Sequence, residues 1–168
     1  MSLHTLHDLL VRELSLLSSA EKQSLPVLER MQRCADSARL ARLLRAHADE
    51  TREQIARLDR IFVELETRPR NGTTGGMRGL RQDCIELASQ ADVDAHVRDA
   101  ALIAGAQHLE HDEIAAYGCA RTWARLLGLR QVGSLLQKSL DEEHAMDGKL
   151  SKLAEAVNRL AVEPELAA

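Results

Sequence analysis

The residues best equipped for chemistry are acids that stand where apolar residues are expected. Between Val97 and Leu127 the chain has no proline and mostly small or apolar residues, which predicts one long helix. At helical spacing Ile103, Gln107, Glu110, Ile114 and Tyr117 fall on one face, overlapped by the row Ala106, Glu110, Glu113 and Tyr117. Two glutamates one turn apart thus face a core. The same interruption recurs elsewhere. Glu21 lies on a leucine stripe, between Leu17 and Leu25. His47, Glu50 and Gln54 interrupt a stripe that runs from Leu40 to Leu65. Glu143 and Asp147 interrupt one that runs from Val132 to Val157. A single charge on an apolar stripe usually means little, because it snorkels outward. Inward acids at mid-length on every long helix are a stronger signal. Glu21, Glu50, Glu110, Glu113, Glu143 and Asp147 cannot all stay ionised in a dry core. Two divalent cations would cancel most of that charge, with protons or hydrogen bonds meeting the rest. Carboxylate-rich, all-oxygen coordination suits iron or manganese better than a structural zinc site.

The elements that must position these groups follow from periodicity and punctuation. The first helix is expected from about Thr5 to Cys34, with a kink or break at Pro26, whose ring opposes the carbonyl of Lys22. Ala35-Asp36-Ser37 reads as a turn with a cap, and a second helix follows from Ser37 to Thr67. Residues 68–79 contain Pro69, Asn71-Gly72 and Gly75-Gly76 and read as a flexible loop. A short helix is expected over Met77 to Gln90, then Asp92-Val93-Asp94 as the cap of the third long helix. Gly128 ends that helix, the fourth runs from Gln131 to Ala161, and residues 162–168 form a frayed tail. A bundle helix of about 28 residues is about 42 Å long. The connection between the second and third helices is long enough to cross that distance, which predicts a single all-α domain: an antiparallel four-helix bundle whose crossover carries a short extra helix.

Composition excludes several classes. Apolar residues make up 45% of the 168 residues but aromatics only 2%, which favours an all-α protein built from Leu and Ala over a β-sandwich or barrel. A formal net charge of −4 without a basic tail argues against nucleic acid as a partner. No apolar run approaches membrane-spanning length and no signal-type leader is read at the start, so a cytoplasmic location is expected and no membrane. Cys34, Cys84 and Cys119 are odd in number and lack CxxC spacing, which suggests neither a disulfide framework nor zinc.

Several segments together resemble the YciE/YciF family of small bacterial stress proteins, which have a ferritin-like, rubrerythrin-related fold. They are Ser19-Ala20-Glu21-Lys22-Gln23, Ala46-His47 with Glu50-Thr51, and Arg98-Asp99-Ala100-Ala101-Leu102-Ile103-Ala104. Glu110-His111, Glu113-Ile114-Ala115, Tyr117-Gly118, Leu140, Glu142-Glu143, Asp147 and Lys149-Leu150 continue the match over nearly the whole chain. The resemblance implies a ferritin-like bundle, a homodimer and a di-iron centre. It implies ligands at Glu21, Glu50, Gln54, Glu110, Glu113, Glu143 and Asp147, all of which the face analysis turns inward. Ferritin-like sites usually carry Glu-x-x-His on two helices. Here Glu53 and Met146 stand three residues after Glu50 and Glu143, leaving Gln54 and Asp147 to serve at i+4. Losing both imidazoles makes the site harder and more anionic.

The histidines and the tyrosine near these acids have plainer readings. His47 is one turn before Glu50 and reads as a core histidine or a hydrogen-bonding neighbour of the ligands, with direct ligation the lesser option. His111 and His144 lie beside ligands but point one position away. Tyr117 is either a hydrogen-bond partner or electron donor near the metal, or a core tyrosine with a satisfied hydroxyl. Trp123 and Phe62 belong to the core or a dimer interface, and Arg98 with Asp99 suggests an ion pair at a helix start. The functional expectation is a dinuclear carboxylate protein holding two iron ions per chain, with manganese as the alternative. It would oxidise Fe²⁺ or reduce oxygen or peroxide under stress, as a ferroxidase- or peroxidase-type oxidoreductase. The alternative is a non-catalytic helical dimer that holds metal or a partner without turnover.

Overall fold

The computed structural model describes residues 3–70, 72, 79, 82–86 and 89–162. Four long helices account for most of them: α1 (Leu6–Cys34), α2 (Ala38–Glu64), α3 (Ala95–Leu126) and α4 (Arg130–Val162). Each begins or ends where local chemistry supplies partners for the open backbone groups. Thr5 and Asp8 form a reciprocal capping box, each side chain accepting the other's N–H at 3.0 Å. Ser37 caps α2 and Asp94 caps α3. Gly128, at φ +75°, ends α3 while the Leu129 N–H returns to the Ala124 carbonyl.

Two expected boundaries differ. The second helix stops a turn before Thr67 because Glu66 takes φ +48° and the Thr67 N–H closes onto Phe62. That is the same helix stop as at Gly128, built here without a glycine and therefore unmarked in the sequence. Pro26 does not break α1, which continues to Cys34. Both Pro26 and Lys22 are exposed, so the Lys22 carbonyl that loses its helical donor faces water. Residues 82–86 of the crossover are helical; the remainder of the expected short helix and loop falls largely outside the described residues, as does the tail beyond Val162.

Two apolar clusters define the topology. One joins Val27, Leu28 and Met31 of α1 to Leu40 and Leu44 of α2, Leu102 and Ile103 of α3, and Leu150 and Leu153 of α4. The other joins Leu10, Leu14 and Leu17 to Leu58, Ile61 and Phe62, Tyr117 and Ala120, and Leu136 and Leu140. The end of α1 therefore meets the start of α2 and α3 and the end of α4. Each of α1 and α4 runs antiparallel to α2 and α3, the up-down-down-up order that one long crossover produces. Each buried Leu, Ile or Phe contributes about 1.5–3 kcal/mol, so two such clusters can carry a costly polar layer between them.

The start of α3 is tied to the α1–α2 turn. The buried Asp99 carboxylate accepts the N–H groups of Asp36 and Ser37 at 2.9 and 2.7 Å, while Arg98 reaches Asp36 at 2.9 Å. The expected Arg98–Asp99 ion pair does not form, because consecutive helical residues point away from each other. Phe62 is buried in the second apolar cluster and Trp123 packs partly buried against it. The crossover anchors through buried Cys84, whose thiol lies against Gly105; a Cβ at that glycine would sit 2.9 Å from the sulfur. Cys34, Cys84 and Cys119 form no disulfide. Among the described residues no helix is long and apolar enough to cross a membrane.

Candidate metal centre

Between the two apolar clusters lies a polar belt. Glu21 and Ser24 from α1, His47, Thr51 and Gln54 from α2, Glu110 and Glu113 from α3, and Glu143 from α4 are all buried there, with Glu21, Glu110 and Glu143 at 0% exposure. Each acid is delivered by the same local pattern, an apolar stripe whose mid-length position carries a carboxylate, so the clusters that bury the stripe bury the acid with it.

Some of these groups are held by neighbours. The Tyr117 hydroxyl donates to Glu21 Oε1 at 2.5 Å, with the ring itself fully buried, so it is both a core residue and a partner of the acid. Ser24 donates to Glu113 Oε1 at 3.0 Å. Gln54 Nε2 donates to Glu143 Oε1 at 2.5 Å and reaches Glu142 Oε2 at 3.4 Å. Gln54 therefore presents its amide N–H₂ to the acids, while its carbonyl Oε1 is buried without a partner.

Other atoms have no such neighbour. Among the described residues, Glu21 Oε2, Glu50 Oε2, both oxygens of Glu110, Glu143 Oε2, Gln54 Oε1 and both ring nitrogens of His47 are buried without a hydrogen-bond partner. A few unsatisfied buried polar atoms scattered over a protein are ordinary; this many in one layer require an explanation. His47 Nε2 and Glu110 Oε1 are 2.9 Å apart, yet are not aligned for a hydrogen bond. Two ligand atoms at right angles about one cation, each about 2.1 Å from it, are about 3 Å apart. His47, Glu110 and Glu143 each offer an atom within 4.8 Å of the others'. These residues fit a cation.

The electrostatics agree. Burial pushes the Glu110 carboxyl up to about 8, with the charges of Glu113, Asp147 and Glu50 adding to the rise. Burial also raises Glu21 and Glu143 well above the carboxylate range, helped by the neighbouring acids. Tyr117 is raised well above 10 by burial and then by Glu21. Burial lowers His47, against the pull of Glu113 and Glu50, so the imidazole favours its neutral, ligand-competent form. Without a cation Glu21, Glu110 and Glu143 favour their protonated forms; a divalent cation would supply the charge that lets those protons leave.

Other expected ligands and neighbours lie further out. Asp147 is half-buried and accepts from Gln107 Nε2 at 2.9 Å, with His111 Nε2 at 3.3 Å, so it faces the α3–α4 groove instead of the belt. Glu50 straddles the boundary: Oε2 is buried and partnerless, while Oε1 lies 3.6 Å from Lys149 Nζ. His111 and His144 are exposed. His47 is drawn inward into the group that can hold a cation, beyond the neighbour's part read for it in the sequence. Glu53 is exposed and Met146 is buried in the first apolar cluster.

Sequence reasoning missed Arg57. It is 6% exposed and grips Glu142 with two bonds of 2.9 and 3.0 Å and Ser139 with one of 2.6 Å. The available signal was spacing: Arg57 follows Gln54 by one turn, and Ser24 follows Glu21 in the same way.

Comparison with known proteins places this architecture among relatives. Residues 5–163 match the family model described as a domain of unknown function, DUF892. The chain is 39% identical over 156 residues to protein YciF of Escherichia coli K12, covering 92% of this chain and 93% of YciF. It superposes on the crystal structure of the E. coli stress protein YciF with a TM-score of 0.89 at 37% identity, over 94% of this chain and 99% of that one. YcfI of Rhodopseudomonas palustris follows at TM-score 0.83 and 36% identity, over 88% and 94% of the two chains. A Xanthomonas campestris protein at 22% identity and TM-score 0.76, over 96% and 99%, shares the fold.

Proposed function

From the premise that this chain belongs to the DUF892 family together with the stress protein YciF, we propose that it is a dinuclear carboxylate protein that oxidises Fe²⁺ or consumes peroxide during stress. The observation that carries the reading is the layer of buried carboxylate and imidazole atoms that have no hydrogen-bond partner. His47, Glu110 and Glu143 would hold one cation, and Glu21, Glu50 and Glu113 supply the carboxylates for a second. Iron bound there would supply redox capacity, with oxygen or peroxide as electron acceptor.

The chain's own residues perform the remaining tasks. Glu110 and Glu143 release protons as a cation enters, since their carboxyls are otherwise kept neutral by burial. Tyr117 and Ser24 fix one oxygen each of Glu21 and Glu113, leaving the opposite face of the Glu21 carboxylate toward the belt. Gln54, backed by Arg57 and Glu142, fixes Glu143. The apolar clusters on both sides keep water out and strengthen every charge interaction inside. Asp147 would have to leave Gln107 and His111 to take part. A homodimer and a cytoplasmic setting belong to the proposal through the family resemblance.

The test is anaerobic titration of chelator-treated protein with Fe²⁺, followed by oxygen. Two ions bound per chain, lost in Glu110→Ala, and oxidation of many Fe²⁺ equivalents per chain support the proposal. The single imidazole in the belt favours a second reading, a holder without turnover. Oxidation that stops after the bound ions would select it, and protein that refuses Fe²⁺ while folded would sink both.

A further inference from the structure

We infer that divalent cations enter the centre through the seam between α2 and α4, at a latch made by Glu50 and Lys149; the inference rests on the proposed metal centre and adds its access route. This seam is lined with polar residues that lead inward. Along it Glu50 faces Lys149, Gln54 faces Glu143, and Arg57 faces Ser139 and Glu142. The two ends of the row differ in how firmly they are closed. Arg57 is buried and holds Glu142 with paired bonds, a rigid fork-to-carboxylate arrangement. Lys149 is 49% exposed, meets Glu50 through one contact of 3.6 Å, and sits on a flexible stem. Exposed contacts of that kind hold weakly.

Glu50 is the residue that spans the wall. One oxygen reaches Lys149 outside, while the other is buried without a partner beside the belt. A hydrated cation arriving at the seam meets a carboxylate whose inner oxygen is already turned toward the centre. Replacing the Lys149 ammonium as the counter-charge of Glu50 opens the wall without disturbing Arg57. The ammonium at the mouth repels a dication, so it sets the entry rate more than the final affinity.

A second lysine isolates this effect. Lys22 on α1, next to Glu21, meets Asp59 of α2 at 3.7 Å and is 47% exposed. It has the same charge and exposure as Lys149 but sits on the α1–α2 seam. Stopped-flow binding of Co²⁺ to chelator-treated protein compares wild type, Lys149→Gln, Lys149→Arg and Lys22→Gln at low salt. Removing one like charge near a dication path should speed entry by about three- to tenfold in Lys149→Gln. Lys149→Arg should stay near wild type, Lys22→Gln should change less than about twofold, and the Lys149→Gln advantage should collapse at about 0.5 M salt. Equal rates in Lys149→Gln and Lys22→Gln, or a salt-independent difference, overturn the route. Absence of Co²⁺ binding in wild type overturns the metal centre itself and the route with it.

Discussion

Chelator-treated protein should lose stability as pH rises from 6.5 to 8, and Glu110→Gln should remove a defined part of that loss. Burial pushes the Glu110 carboxyl from 4.5 to about 8. In the unfolded chain the group is ionised above about 5, so across this window the folded state holds a proton that the unfolded state does not. Its stabilising contribution is complete below 4.5 and is lost as pH climbs through about 8. His47 works oppositely, since burial lowers its value from 6.5 and costs stability at lower pH; the window above 6.5 therefore reads the carboxylates. About 1.5 pH units at 1.36 kcal/mol each give about 2 kcal/mol for Glu110 alone. Glu21 and Glu143, raised for the same reason, add to the wild-type slope. Urea denaturation followed by circular dichroism in EDTA should show wild type falling by about 2 kcal/mol more than Glu110→Gln, a relative shift of about 4–8 °C in Tm for a chain of this size. Added Mn²⁺ should reverse the ranking, because only wild type gains binding energy, about 2.7 kcal/mol at 100 times Kd. Parallel pH profiles for the two proteins would refute the reasoning, since they would mean that Glu110 is ionised in the metal-free fold.

Three further perturbations probe the scaffold. Tyr117→Phe removes the donor to Glu21 at 2.5 Å and should cost about 1–2 kcal/mol in urea denaturation without changing secondary structure. Asp99→Ala strips the acceptor from the Asp36 and Ser37 N–H groups; about 2 kcal/mol should be lost, with faster hydrogen exchange at those two amides as the local signature. Gly105→Ala places a methyl 2.9 Å from Cys84 Sγ and should cost about 1–3 kcal/mol by overpacking. Combined with Cys84→Ala the loss should be smaller than the sum of the two single changes, measured by the same denaturation.

Much of this protein follows from local rules. Thr5, Ser37 and Asp94 mark helix starts and Gly128 marks a helix end because capping depends on a few consecutive residues. The leucine stripes and their mid-length acids fix which side of each helix turns inward, so the burial of Glu21, Glu110, Glu113, Glu143 and Tyr117 was legible from spacing. The stop at Glu66 was not, since a left-handed backbone at a glutamate leaves no mark in composition. Spacing along one helix says nothing about how far its neighbour is rotated or slid. That relation sets whether an edge residue faces the belt or the groove. Packing turns Asp147 toward Gln107 and His111, draws His47 to 2.9 Å from Glu110, and sets Arg57 against Glu142 on another helix. Local patterning yields four amphipathic helices with acids at their waists. The register in which their apolar clusters interlock sets which of those acids and which histidine meet.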